Sequence, residues 1–208
     1  MRLPFVRQEG CCRKCGRSIP VFVGEFVCDD CRSIRPAFDA AASVLVFDDE
    51  ARRTVLDWKF NRHFWLRDDL TDFLEGVVRV RFPVSEIDAV VPMPVTLWHR
   101  FDRGFNQCAI LARALSARID RPYLPQAVRR CGHPQRQSGL NEDERKKNVV
   151  GTFRVTDVSV VRGRRLLVVD DVMTTGSTLS ECARELKRTG AAAVWCATLA
   201  RSVRDSLS

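Results

Sequence analysis

Residues 166–179, LLVVDDVMTTGSTL, constrain the fold of this chain more than any other stretch. Residues 166–169 form an unbroken apolar run of strand length, and an apolar run without alternation marks a strand covered on both faces. Two carboxylates, Asp170 and Asp171, follow, and then a polar turn. Beyond the turn Leu179, Cys182, Ala183 and Leu186 recur on one face of a helix that Gly190 is placed to stop. The same alternation is repeated along the chain. Residues 42–47 are a strand-length apolar run followed by a helical pattern starting over 48–56. Residues 87–91 are a second run, ended by Pro92-Met93-Pro94, and Cys108, Leu111, Ala112, Leu115 and Ile119 give an amphipathic helix over 105–119. Residues 193–199 make a further buried strand. Buried strands alternating with helices predict an α/β fold built on a parallel sheet with helices on both faces.

In such sheets ligands bind beyond the carboxyl ends of the strands, where the loops after residues 91 and 169 both fall. The run Thr174, Thr175, Gly176, Ser177, Thr178 gathers hydroxyls and backbone N–H groups at a helix N-terminus, where the helix dipole also favours an anion. A monophosphate fits that point, and Gly176 removes the side chain that would hold it off the backbone. Asp170 and Asp171 lie just upstream, where they accept hydrogen bonds from two neighbouring sugar hydroxyls. The segment therefore reads a ribose 5-phosphate from end to end. A helix capped by Ser or Thr after an acidic turn explains one hydroxyl and one Asp, but not this order of strand, paired acids and hydroxyl run.

Four of the nine cysteines form two C-x-x-C pairs, Cys12 with Cys15 and Cys28 with Cys31. Two short turns each presenting two thiolates suit tetrahedral zinc, and a metal supplies the folding energy that residues 1–36 are too few to gain from a core. The chain thus divides into a zinc-ribbon module over 1–36 and an α/β domain over 37–208. Cys11 is an alternative ligand, although only Cys12 keeps the two-residue gap to Cys15. Cys108, Cys182 and Cys196 fall on apolar faces as core residues, and Cys131 sits in a polar stretch as a candidate exposed thiol.

No apolar run approaches the roughly 20 residues of a membrane span, and the N-terminus lacks the apolar stretch of a signal peptide. A cytoplasmic protein without membrane insertion is expected, and assembly into a homo-oligomer is left open. A net charge of +8 and a pI near 9.3 favour anionic partners, nucleotide phosphates or nucleic acid, without choosing between them. Residues 126–150, with six basic and three acidic side chains, fit neither helix nor strand and read as a functional lid or a disordered segment.

The 166–179 segment resembles the phosphoribosyl pyrophosphate (PRPP) motif of type I phosphoribosyltransferases. More widely the chain is similar to the ComF family, associated with bacterial competence. That likeness is carried by PMP at 92–94, RGFNQ at 103–107, QSGL at 137–140, Glu144 and Arg145, NVVGTF at 148–153, TLAR at 198–201 and the four cysteines. It covers nearly the whole chain. Asn61, Arg62 and His63 depart from the pattern, as does HPQR before Gln137.

The resemblance implies a PRPP site working with magnesium. Transfer displaces pyrophosphate from C1 of the ribose by an incoming nitrogen, so the protein must position the reactants and neutralise charge. The diol and phosphate then fall to Asp170, Asp171 and residues 174–178, and the pyrophosphate to Arg103 and Gly104, with Arg100 assisting. Read from the residues alone, Arg103 and Asn106 equally begin the following helix. Arg145, Lys146 and Lys147 are candidate closing cations or the start of a solvated charged helix. Lys59, Phe60, Trp58, Trp65 and the N-terminal region are the candidates for an acceptor site, Trp58 and Trp65 being equally core aromatics. The same family likeness, with the positive charge and the basic ribbon, also admits a non-catalytic nucleic-acid partner of the DNA-uptake machinery, or a regulator that senses PRPP or a nucleotide.

Overall fold

The computed structural model describes residues 5–18, 26–53, 66–95, 105–131 and 151–202. Its elements are α1 (Asp29–Ile34), β1 (Ala40–Val46), α2 (Leu66–Arg81), β2 (Ala89–Pro92), α3 (Gln107–Arg118), β3 (Val128–Arg130), β4 (Phe153–Val155), β5 (Arg165–Met173), α4 (Ser177–Arg188) and β6 (Ala193–Arg201), with a 3-10 turn at Val84–Glu86.

Strands β1, β6, β5 and β2 lie side by side in that order, all parallel. Alternate residues of β5 feed two separate cores. Leu166 and Val168 pack with Leu179, Cys182 and Leu186 of α4, while Leu167 and Val169 pack with Leu70 and Leu74 of α2 and Leu111 and Leu115 of α3. Period-two alternation along a strand buried on both faces produces this three-layer arrangement, the one expected from sequence.

Both sheet edges are covered, which removes a template for unwanted strand pairing. At β1 the Val6 amide donates to the Val44 carbonyl at 2.8 Å, and the Ala41 amide to the Lys14 carbonyl at 2.8 Å. At β2 the Val90 amide donates to the Pro122 carbonyl at 2.8 Å and its own carbonyl accepts from the Leu124 amide at 2.9 Å. The cysteine segment is packed into the α4-side core, where Cys12, Cys15, Cys28 and Cys31 join Phe38, Ala41 and Met173. Gly190, with φ +101°, ends α4 as its position predicts. Its amide bonds to the Lys187 carbonyl at 2.9 Å and that of Ala191 to Leu186 at 3.0 Å, the paired closure of a left-handed helix stop.

Three elements differ from expectation. Strand β5 does not end at residue 169 but runs through both acids to Met173, because β6 continues alongside it, pairing Asp170 with Thr198 and Met173 with Arg201. The stretch over 126–150 does contain a strand: β3 pairs antiparallel with β4, satisfying backbone groups that the polar sequence gave no reason to call extended. The rest of that stretch, 132–150, lies outside the described residues. Helix α2 is unanticipated, although Leu70, Leu74, Val77 and Val78 recur at helical spacing within its charged sequence. No helix of the described residues is long and apolar enough to cross a membrane.

Candidate functional site

The exit of β2, the start of α3 and the end of β5 meet at the carboxyl edge of the sheet. Asn106 caps α3: its Oδ1 accepts from the amides of Cys108 at 3.0 Å and Ala109 at 3.3 Å. Its Nδ2 donates to the Met93 carbonyl at 3.2 Å, which pins the helix start to the Pro92–Pro94 turn. With the helix fixed there, its first two residues face the two acids. Gln107 Nε2 donates to Asp171 Oδ2 at 2.8 Å, and Cys108 Sγ donates to Asp170 Oδ1 at 3.4 Å. Asp170 Oδ1 also accepts the Asp171 amide at 2.8 Å. Asp170 and Asp171 are 9% and 8% exposed, so most of each side chain is withdrawn from solvent.

Two buried thiols lie close enough to Asp170 to feel its charge. Full burial raises the Cys182 and Cys196 thiols well above their ordinary range, and the Asp170 carboxylate adds to the shift in both. Arg130 of β3 stacks over the Phe153 ring at 5.6 Å. Burial lowers its pKa, an effect that the negative charge of Asp170 opposes.

From Asp171 the chain passes through Met173 into the hydroxyl loop. Gly176 adopts φ +75°, a left-handed turn that lets α4 start at Ser177 with no side chain from the cap position bonded to the helix. Thr175 Oγ1 lies 2.7 Å from Ser177 Oγ and accepts the Ser177 amide at 3.3 Å, drawing the hydroxyls together at the helix start. Thr174 and Thr178 flank them in sequence. The same helix holds the β4 segment: Glu181 Oε1 accepts the Gly151 amide at 2.8 Å and Glu185 Oε1 the Val155 amide at 3.3 Å.

A second site lies at the N-terminal segment. The Sγ atoms of Cys12, Cys15, Cys28 and Cys31 all lie within 4.8 Å of one another, and each residue is buried. Cys11 turns away, its Sγ 2.5 Å from the Arg7 carbonyl, so Cys12 completes the set. Thiols this close cannot all ionise unaided. S–H donors from Cys15 and Cys31 hold Cys12 low, donation to Cys12 drives Cys31 up, and burial pushes Cys28 up to about 11. A divalent cation removes the conflict by stabilising every thiolate, and four sulfurs on two short turns are the donor set that zinc takes.

The structure thus brings together Asp170 and Asp171 with Thr174, Thr175, Gly176, Ser177 and Thr178, and separately the four cysteines. Arg103 and Gly104 lie outside the described residues, as do Arg100, Trp58, Lys59, Phe60, Trp65, Arg145, Lys146 and Lys147. Gln107 and Cys108 are site residues that sequence reasoning passed over. Cys108 counts there only as core, and its apolar neighbours conceal that α3 begins at the acid pair. The signal was the Asn106 cap, which fixes which residues open the helix.

Residues 106–206 match the model of the phosphoribosyl transferase domain family. Competence protein F of Haemophilus influenzae is 28% identical over 195 residues, 92% of this chain and 84% of that protein. DNA utilization protein YhgH of Escherichia coli K12 is 32% identical over 192 residues, 89% of this chain and 82% of that protein. Among solved structures, a purine phosphoribosyltransferase from Pyrococcus horikoshii Ot3 aligns over 66% of this chain and 74% of its own, at 21% identity and a TM-score of 0.42.

Proposed function

Since the chain belongs to the family of competence protein F and DNA utilization protein YhgH and carries a phosphoribosyltransferase domain, we propose that it binds PRPP with magnesium and transfers ribose 5-phosphate to a nitrogenous acceptor. One observation carries the reading: β5 delivers Asp170 and Asp171, both nearly buried, directly into a hydroxyl loop at the N-terminus of α4.

The 5-phosphate takes its place on residues 174–178, where Gly176 permits close approach and the helix dipole favours the charge. Asp170 and Asp171 accept the two ribose hydroxyls and hold C1 toward the open side of the sheet edge. Magnesium brought in with the diphosphate would supply Lewis-acid assistance to its departure. Arg103 and Gly104, assigned to the leaving group by the family likeness, supply a cation beside a residue without a side chain. No protein nucleophile is needed, because positioning and neutralisation are the whole task.

Cys12, Cys15, Cys28 and Cys31 hold structural Zn2+ in this proposal, making 1–36 a metal-stapled module on the 37–208 domain. The test is pyrophosphate release from PRPP and magnesium across nitrogenous acceptors, comparing the native chain with an Asp170→Asn, Asp171→Asn variant. Equal release from both contradicts the proposal.

The +8 charge and the names of the relatives favour a second reading, a DNA-uptake accessory that binds nucleic acid through the same fold without catalysis. Affinity for single-stranded DNA then falls steeply with salt, and no binding at low ionic strength excludes it. Saturable PRPP binding without turnover on any acceptor supports a PRPP sensor instead.

A further inference from the structure

Two consecutive residues of one helix hold two consecutive residues of one strand. Gln107 reaches Asp171 at 2.8 Å and Cys108 reaches Asp170 at 3.4 Å, each through a side-chain donor onto a carboxylate oxygen. Gln107 is 2% exposed and Cys108 1%, so neither contact is shared with bulk water. Carboxylate side chains at a strand end have free χ rotations unless a partner fixes them, and ligand geometry degrades when that second layer is loose.

Apolar packing alone does not explain the choice of residue. A buried amide at the start of α3 is expensive unless its polar atoms are satisfied, and Gln107 Oε1 has no hydrogen-bond partner among the described residues. Leu or Met would fill the volume without that cost. The retained polar head is accounted for by what its Nε2 does, which is to aim Asp171. The thiol of Cys108 serves Asp170 in the same way: a weak donor, with burial all round it, that sets the carboxylate rotation together with the Asp171 amide. Asn106, fastened to Met93, fixes the register of both contacts.

We propose that Gln107 and Cys108 are positioning residues that preset the Asp170 and Asp171 carboxylates to recognise the paired hydroxyls of a ribose phosphate. The proposal rests on the ribose reading of the acid pair given above. It separates sugar recognition, which passes through α3, from phosphate recognition, which belongs to the start of α4.

The experiment compares calorimetric affinities of the full zinc-loaded chain for ribose 5-phosphate, its 2,3-dideoxy analogue and inorganic phosphate. The native chain should prefer ribose 5-phosphate over the dideoxy analogue by about tenfold or more, the range of hydrogen bonds to charged groups. Gln107→Met and Cys108→Ala should each collapse that preference to about twofold while leaving inorganic phosphate affinity unchanged, and Cys108→Ser, which restores a donor, should recover it. Full preference in both Gln107→Met and Cys108→Ala overturns the positioning role and leaves the ribose reading intact. Equal loss of inorganic phosphate binding, or failure of Cys108→Ser to recover the preference, also overturns it by showing a merely structural role. A native chain that does not distinguish the two sugars overturns the ribose reading itself, and the positioning role with it.

Discussion

The guanidinium of Arg201, the last residue of β6, donates from Nη1 to the carbonyl oxygen of Cys15 at 2.5 Å and lies 3.7 Å from the Cys15 sulfur. Arg201 is 3% exposed and stands in register with Met173, the residue before the hydroxyl loop. A guanidinium buried this deeply needs hydrogen-bond acceptors, and the Cys15 carbonyl supplies one. The cysteine centre and the end of the central sheet are therefore joined by one charge-assisted contact.

Replacing Arg201 by Met should cost about 1.5–3 kcal/mol of folding stability, the range for a hydrogen bond to a charged group. It should also speed release of zinc to a chelator. Urea unfolding and a chelator-coupled release assay measure the two effects, and native-like values in both would show that the contact is idle.

Gly16 has φ +71°, and a Cβ built there would lie 2.6 Å from the Ala41 carbonyl oxygen. Gly163 has nearly the same φ, +72°, with nothing within 4 Å. Gly163→Ala should cost about 1–2 kcal/mol for the left-handed backbone alone. Gly16→Ala adds a clash with strand backbone and should cost roughly 1–3 kcal/mol more. Denaturation midpoints of the two variants give the comparison directly; equal losses would mean that the module does not pack on β1 as described.

Ser43 Oγ and Thr198 Oγ1 lie 2.7 Å apart between β1 and β6, buried at 1% and 0% exposure. Ser43→Ala or Thr198→Val alone leaves a buried hydroxyl with one partner fewer and should cost about 1–3 kcal/mol. The double replacement should cost clearly less than the sum of the two, and a thermodynamic cycle on unfolding free energies reads that coupling. Strict additivity would contradict the pairing.

Glu185 is held below its ordinary carboxylate range chiefly by the hydrogen-bonded Arg188 guanidinium, with the Val155 amide adding to the effect against the cost of burial. A carboxyl with a depressed folded pKa contributes stability that is present above its unfolded value, 4.5, and is lost as pH falls through the folded value. Glu185→Gln removes this contribution. The variant should be less stable at pH 7 and should lose less stability than the native chain below about pH 4.5. Parallel acid-limb profiles in urea titrations would exclude the linkage.

The parallel sheet was legible because residues 166–169 and 193–197 are continuously apolar and of strand length, the pattern of a doubly covered strand. The turn that gathers Thr175 and Ser177 at the start of α4 was legible because its order of residues is local. What stayed hidden depends on pairing across distance. Nothing in Asp170 or Asp171 says that β6 keeps β5 extended beside them, and nothing in Val128 says that Val155 will pair with it. Helix α2 was obscured by its charged residues, two of which, Asp68 and Asp72, face Arg118 on α3. Gln107 and Cys108 became site residues only when the Asn106 cap set the helix beside the strand end. The expectation that Arg103 and Gly104 face pyrophosphate still rests on the family likeness.

In the proposed function, Asp170 and Asp171 form a ribose-phosphate site with the loop that follows them. Isothermal titration of PRPP with magnesium into the zinc-loaded chain tests it most directly, run beside the Asp170→Asn, Asp171→Asn variant. Saturable binding to the native chain, weakened at least about tenfold in the variant while the fold is retained, is the predicted result. No binding to the native chain, or equal binding to both, would contradict it.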